Sequence, residues 1–395
     1  MEMAELTALL TPEGLRLLDA QAPVESSDDV AHAVTRLRRA GHSPELVSAV
    51  VGQARLRSRA RLKFGDLADR MLFTRAGLEQ STRLSVAVRH AARFREAGVT
   101  TVADLGCGIG GDALGLAGLG LRVDAVDADD VTAAVAAFNL APFGTDTSVR
   151  HARAEDVDLS GVYGVWLDPA RRTTGRTETS RTEAHEWSPS LDWSFAVADR
   201  LPTGIKLGPG LDRNLLPTTG EAQWVSADGS TIELVQWSRE LARPGVRRAA
   251  LVLRGETAHE LSAADDAADE PVRTLGAFVH EPDGAVIRAR LIGDVARTLD
   301  AGMLDPRIAY LTSDSALTSP FVSTFRVRET LPVDEKRLAA ALRARDIGRL
   351  EIKKRGVDVD PAALRPRLKL RGSASATLIL TRVADTRVAI LADRV

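Results

Sequence analysis

Residues 101–130 read T-V-A-D-L-G-C-G-I-G-G-D-A-L-G-L-A-G-L-G-L-R-V-D-A-V-D-A-D-D, and no other stretch limits the fold as much. A short apolar run meets four glycines within six residues, then a small-residue helical run, then a second apolar run that ends in acids. That is strand, tight turn, helix, strand, the unit of a mainly parallel sheet covered by helices. Gly106, Gly108, Gly110 and Gly111 let the backbone turn sharply and approach a ligand with no Cβ in the way. The helix that follows presents free N–H groups at its start. The pattern predicts a cofactor cradle.

The glycines alone leave two cofactor classes open, because Gly106-x-Gly108-x-x-Gly111 also satisfies the dinucleotide fingerprint. The neighbouring residues discriminate. Asp104, two positions before Gly106, would repel a pyrophosphate and suits a cationic ligand group. The second strand closes on Asp127, about 20 residues beyond the glycines, the spacing that puts a carboxylate on ribose hydroxyls. Asp129 is the second candidate for that role. In this run the chain resembles the class I S-adenosylmethionine (SAM) methyltransferases, whose acid-x-Gly-x-Gly-x-Gly motif is matched by Asp104, Gly106, Gly108 and Gly110. The resemblance implies SAM as cofactor on a Rossmann-like α/β sheet. A nicotinamide-dependent oxidoreductase is a distant alternative, since no catalytic Tyr-Lys or His pairing accompanies the turn.

The 395 residues are enough for two or three domains. Residues 1–95 show helical periodicity, with turn signals at Thr11-Pro12-Glu13-Gly14 and Ser43-Pro44, and read as a helical N-terminal domain. From 96 to 255, strand-like runs at 101–104, 123–127, 148–150, 162–167, 204–207, 232–236 and 249–253 alternate with helical ones, as a SAM-binding α/β domain requires. Residues 256–330 begin with an Ala-, Asp- and Glu-rich stretch to 270 that reads as an exposed connection, followed by a strand and a helix capped by Asp283. Residues 331–395 form a small α+β module, with Asp360-Pro361 opening a helix and a strand at 376–381. No apolar stretch of membrane-spanning length and no signal-peptide pattern appears, so a cytoplasmic protein that does not enter membranes is expected. The single cysteine, Cys107, lies in the glycine turn; it excludes an intramolecular disulfide or a cysteine-rich zinc site and reads as a small residue packed under the loop. No metal is expected.

A second motif follows the fourth strand, where such sheets place their reaction centre: Asp168-Pro169-Ala170-Arg171-Arg172. An exocyclic amine on a nucleobase has its lone pair delocalised into the ring. A carboxylate at Asp168 and the carbonyl of Pro169 can accept its N–H bonds, hold it in line and favour the pyramidal form. The motif resembles the Asp-Pro-Pro-aromatic run of nucleic-acid amino-group methyltransferases, departing from it where Ala170 and Arg171 stand in place of the second proline and the stacking aromatic, with Arg172 following. Arginine planes stack on bases and pair with phosphate, so Arg171 and Arg172 become substrate-binding candidates. At the third strand's end Arg153 occupies the usual place of the acid that holds the adenine amino group, leaving Asp156, with Glu155 behind it, as the substitute. Upstream, Gln80 and Thr82 precede the helix into the first strand and are candidates for the methionine end of SAM, with a helix cap at Ser81 or Thr82 as the structural alternative. At the end of the fifth strand, Lys206 or Arg213 is expected to face substrate.

Charge is divided unevenly. Residues 331–395 carry 15 Lys+Arg against 8 Asp+Glu, whereas the whole chain has a net charge of −2. The chain order, helical domain, Asp-Leu-Gly-Cys-Gly, Asp-Pro-Ala-Arg-Arg, Lys-Leu-Gly-Pro-Gly and basic tail, resembles a bacterial group of methyltransferases with a THUMP-like C-terminal domain. THUMP domains bind RNA in RNA-modifying enzymes, so the resemblance implies tRNA or rRNA as partner. Lys353, Lys354, Arg355 and Lys369, with Arg367 and Arg371, are the candidate phosphate contacts. The expected activity is SAM-dependent methylation of an RNA nucleobase, with the guanine exocyclic amine as leading target. A small-molecule or protein methyltransferase and a non-catalytic SAM-binding RNA adaptor are the alternatives.

Overall fold

The computed structural model describes residues 1–171 and 187–395. They form two compact units: Met1–Leu207 with Arg213–Gly220 and Gln236–Arg243, and Gly208–Asp212 with Glu221–Val235 and Pro244–Val395.

Six helices open the first unit: α1 (Met3–Leu9), α2 (Pro12–Asp19), α3 (Ser27–Arg39), α4 (Pro44–Phe64), α5 (Arg75–Gln80) and α6 (Leu84–Glu96). The turn signals act as caps. Thr11 accepts the Gly14 N–H at 3.0 Å and Ser43 accepts that of Leu46 at 3.3 Å, each ahead of a proline in the first turn. The 21-residue α4 buries Val47, Val50, Ala54 and Phe64 and packs against α1, α2 and α3.

The chain then alternates as expected through β1 (Thr101–Leu105), α7 (Gly111–Gly118), β2 (Arg122–Asp127), α8 (Asp130–Leu140), β3 (Thr147–His151) and β4 (Gly164–Leu167). A two-residue ladder of β5 (Ala170–Arg171) with β6 (Trp187–Ser188) precedes α9 (Leu191–Ala198) and β7 (Thr203–Leu207). The parallel order is β3-β2-β1-β4-β7. Strand order reverses between β1 and β4, so the ligand crevice of such a sheet lies outside their carboxyl ends. Beneath that crevice His90, Phe94, Trp166 and Trp237 pack as one aromatic cluster, with His90 stacked on Trp166 at 4.4 Å between ring centroids. Gly204 is required there: a Cβ would fall 2.6 Å from the Trp237 ring.

In the second unit the chain continues with β8 (Glu221–Ala227), β9 (Ser230–Trp237, its last two residues in the first unit), β10 (Arg248–Arg254) and β11 (Thr257–Ala263). β8 and β10 run parallel and β11 pairs antiparallel with β10. The sequence predicts an exposed connection over 256–270; instead 257–263 is a strand. Its acidic, Ala-rich composition masks a period-two edge strand, which tolerates charge because one side stays exposed.

Next come β12 (Phe278–Pro282), α10 (Gly284–Ala289), α11 (Ile292–Thr298), β13 (Gly302–Asp305), β14 (Ile308–Ser313), β15 (Val322–Leu331), α12 (Glu335–Ala344), β16 (Ile347–Lys354), α13 (Pro361–Leu368), β17 (Ala374–Val383) and β18 (Thr386–Arg394). Asp283 and Asp360 cap α10 and α13, each accepting an N–H at 2.9 Å. A seven-stranded sheet takes the order β13-β14-β12-β15-β18-β17-β16. Leu338, Leu342, Leu364 and Leu368 of α12 and α13 pack with Leu350, Leu378 and Leu391, while Val279, Tyr310, Phe325, Ile379 and Ile390 form a second core. Among the described residues no helix is long and apolar enough to cross a membrane.

Candidate active site

The glycine turn takes the backbone shape its residues permit. Gly106, Gly108 and Gly110 have φ of +92°, +56° and +86°, the left-handed region that other residues enter at a cost. A Cβ on Gly106 would lie 3.2 Å from the Asp168 carbonyl oxygen, so the two sequence motifs meet at this point. Cys107 is buried beneath the turn, and burial, reinforced by Asp104 and Asp127, pushes its thiol pKa well up.

Asp104 is 0% exposed, and neither of its carboxylate oxygens has a hydrogen-bond partner among the described residues. Burial first, then the charges of Asp112 and Asp168, hold its pKa well above the usual carboxylate range, with Lys206 opposing them. A lone buried carboxylate is costly, and a cationic ligand group would satisfy it. Asp127 closes β2. Its Oδ2 accepts the Gly108 N–H at 3.0 Å and its Oδ1 that of Asp129 at 2.9 Å, which ties the second strand to the turn. Burial raises its pKa against those two bonds. The Asp129 side chain caps α8 through Thr132, with its Oδ1 accepting from the backbone N–H at 2.8 Å and from the hydroxyl at 2.6 Å.

Asp168 follows β4 and is ion-paired through Oδ2 to Lys206 Nζ, near the end of β7. Lys206 also donates to Thr82 Oγ1 at 3.0 Å and lies 3.7 Å from Asp112 Oδ2. Asp112, in the first turn of α7, accepts the Thr82 hydroxyl at 2.7 Å and contacts His90 Nδ1 at 2.8 Å. Burial alone would raise the Asp112 pKa; Lys206, His90 and Thr82 together bring it down to about 2. Lys63 of α4 donates to the carbonyls of Leu78, Glu79 and Ser81 at 2.8, 2.9 and 2.6 Å, fixing the segment that carries Thr82. Burial, then Lys206 and Arg83, lowers its pKa to about 8. Asn139 completes the frame, its amide donating to the carbonyls of Leu72 and Ile109 at 3.0 and 2.9 Å.

The first unit therefore gathers Asp104, Gly106, Gly108, Gly110, Asp127, Thr82, Asp168, buried Pro169 and Lys206 around the β1–β4 switch point. Thr82 does not cap α6: its hydroxyl goes to Asp112, and Arg83 occupies the cap position without a side-chain bond. Gln80 is exposed at the end of α5, and Asp156 is exposed at the end of a short helical turn over Ala154–Asp156. Arg171 is in β5, and Arg172 lies outside the described residues. The C-terminal candidates belong to the second unit. There Lys353 is ion-paired with Glu281 at 2.6 Å and Arg355 lies over the Tyr310 ring at 5.5 Å, whereas Lys354 and Lys369 are exposed. Asp112, His90 and Lys63 escaped the sequence reading. Asp112 had one available signal, an acid placed directly after the double glycine of a helix start.

A family described as THUMP domain-like matches residues 322–394, and a domain of unknown function matches residues 2–60. Two relatives from strains of Mycobacterium tuberculosis, both named as uncharacterized S-adenosylmethionine-dependent methyltransferases, are 37% identical over 357 residues, which is 88% of this chain and 95% of theirs. The chain belongs to the S-adenosylmethionine-dependent methyltransferases. The fold agrees: a crystal structure of a provisionally assigned methyltransferase from Porphyromonas gingivalis W83 superposes with a TM-score of 0.70 at 21% identity, covering 94% of this chain and 99% of that one. SAM carries a sulfonium and an ammonium group, and the residues of this methyltransferase fit it. The Asp104 carboxyl, with no hydrogen-bond partner among the described residues, suits a cationic group, and the left-handed glycines Gly106, Gly108 and Gly110, which carry no Cβ, admit close backbone approach.

Proposed function

We propose that this methyltransferase modifies RNA at a nucleobase, with the exocyclic amino group of guanine as target. The observation that carries the reading is the placement of Asp168-Pro169 against Gly106 at the β1–β4 switch point, with the Asp168 carboxylate held by Lys206. Bound SAM supplies an electrophilic methyl group. Asp104, the turn of Gly106, Gly108 and Gly110, Thr82 and Gln80 serve its methionine end, Asp127 its ribose and Asp156 its adenine amino group. Asp168 and the Pro169 carbonyl accept the N–H bonds of the target amine, which aligns the nitrogen and localises its lone pair. Lys206 acts through Asp168, orienting it from β7. Arg171 and Arg172 contact the base or its phosphates.

Two features support RNA: the THUMP domain-like match over 322–394, and the excess of cations over acids in 331–395. Lys354, Lys369 and Arg371 are exposed and suit phosphate, whereas Lys353 and Arg355 are engaged with Glu281 and the Tyr310 ring at the end of β16. Mass spectrometry of nucleosides from total RNA of wild-type and deletion strains tests the reading. Loss of an N2-methylguanosine signal in the deletion strain is the expected result; loss of a different methylated nucleoside would move the target atom. Identical nucleoside profiles would turn the assignment toward a small molecule or protein.

A further inference from the structure

The helical domain carries its own charge division. Residues 1–50 hold 4 Lys+Arg against 8 Asp+Glu, but residues 51–95 hold 11 against 3. The second stretch is therefore as lopsided as the C-terminal module, within a body that is otherwise acidic. Arginine abundance across the chain does not account for it, because what changes at residue 51 is also the loss of acids.

These cations are not spread at random around the domain. Arg55, Arg59 and Lys63 recur at every fourth residue of α4, which places them on one face, with about 12 Å between the first and the last. Lys63 ends the row at the Ser81 carbonyl, one residue from Thr82 and the Lys206–Asp168 pair. Two more cations sit where a helix disfavours them. Arg75 is the first residue of α5 and Arg83 is the cap residue of α6, both at the positive end of a helix dipole. Gly77 of α5 packs directly against Ile109 of the cofactor turn, so Arg75 is exposed beside that turn. Among the described residues Arg55 and Arg75 have no ion-pair partner, and Arg59 reaches Glu79 only at 3.9 Å. Arg55 and Arg75, exposed and without an ion-pair partner among the described residues, are available to a partner outside the chain.

We propose that this face of the helical domain is a phosphate-tracking surface that lays the RNA strand beside the methyl-transfer site, giving the N-terminal region a substrate-positioning role. The inference rests on the RNA reading above. The row along α4 spans roughly three to four nucleotides at the ~3.4 Å rise of one strand, and it ends at the segment that holds Thr82. A chain of phosphates bound along it would deliver a base to Asp168, while the C-terminal module holds the RNA independently.

The test uses the full chain with Arg55→Gln, Arg59→Gln and Arg75→Gln combined, since glutamine keeps helix propensity. Total RNA from a deletion strain is the probe, read by filter binding across a salt series and by transfer of labelled methyl from SAM. The expected result is a salt slope shallower by about 2, roughly 100-fold weaker RNA binding at about 0.1 M salt, and a comparable loss of methyl transfer at limiting RNA. SAM affinity, measured by calorimetry, should stay within about twofold, and the corresponding triple lysine variant should restore the slope, which separates charge loss from misfolding. Wild-type affinity and slope in the glutamine variant would overturn this inference and leave the RNA reading standing. Wild-type protein that neither binds nor methylates the RNA would overturn both.

Discussion

Asp112→Asn examines the frame that holds the reaction centre. The carboxylate is 8% exposed, accepts the Thr82 hydroxyl at 2.7 Å, contacts His90 Nδ1 at 2.8 Å and lies 3.7 Å from Lys206 Nζ. Its pKa of about 2 lies below the unfolded value near 3.9, a difference of about two units at ~1.36 kcal/mol each. Because the folded value is depressed, the contribution is complete above the unfolded pKa and is lost as pH falls through the folded one. At pH 7 it amounts to about 2 to 3 kcal/mol. The amide keeps the side chain's shape but carries no charge toward Lys206 and His90, so urea unfolding of the Asn variant should show a lower midpoint at unchanged slope, equivalent to that energy. Removing one of those partners alone, by Thr82→Val, should cost about 1 kcal/mol. An Asn variant within about 0.5 kcal/mol of wild type would refute the reasoning, since the three contacts would then contribute nothing beyond packing.

Asp127→Ala should weaken SAM binding by about 1 to 3 kcal/mol in calorimetry, and unchanged affinity would place the ribose acid elsewhere. Asp168→Ala should keep SAM affinity and lose on the order of 100-fold in turnover, whereas turnover within a few-fold of wild type would reduce Asp168-Pro169 to a structural turn. Because the Asp104 pKa is raised, lowering the pH protonates the carboxyl proposed to pair with the cofactor's cationic end, so SAM affinity should rise with pH. Asp104→Asn should bind SAM weakly and without that slope; a slope retained in the Asn variant would assign it to another group. Glutamine at Lys354, Lys369 and Arg371 should weaken RNA binding and flatten its salt dependence without altering SAM affinity. Substitution is the suitable perturbation there because β15 pairs with both β12 and β18; ending the chain near residue 330 would strip Ile379 and Ile390 from Val279 and Phe325 in one core.

What the sequence disclosed and what it withheld divide along contact distance in the chain. The glycine turn, the strand that feeds it and the acid closing β2 lie within one stretch of 27 residues, so spacing alone placed Asp104, Gly106 and Asp127 together. The caps at Thr11, Ser43, Asp283 and Asp360 were equally legible because a cap is satisfied within three residues. The electrostatic frame was not. Lys206 meets Thr82 across 124 positions and His90 meets Asp112 across 22, and no local period marks either pair. Local spacing offers Lys206 for substrate and Thr82 for the cofactor or a helix cap; that their polar atoms also meet one another is visible only in the fold. The edge strand over 257–263 failed for the opposite reason, because a strand with one partner can look like a polar loop in composition. The consequence for function follows from the same geometry. Asp168 is oriented by a lysine from β7 that is itself fixed by the helical segment at Thr82, and Lys63 fixes that segment from α4. Anything that displaces α4, including the RNA strand proposed to lie along its basic face, thus acts on Asp168, the group proposed to accept the target's N–H bonds.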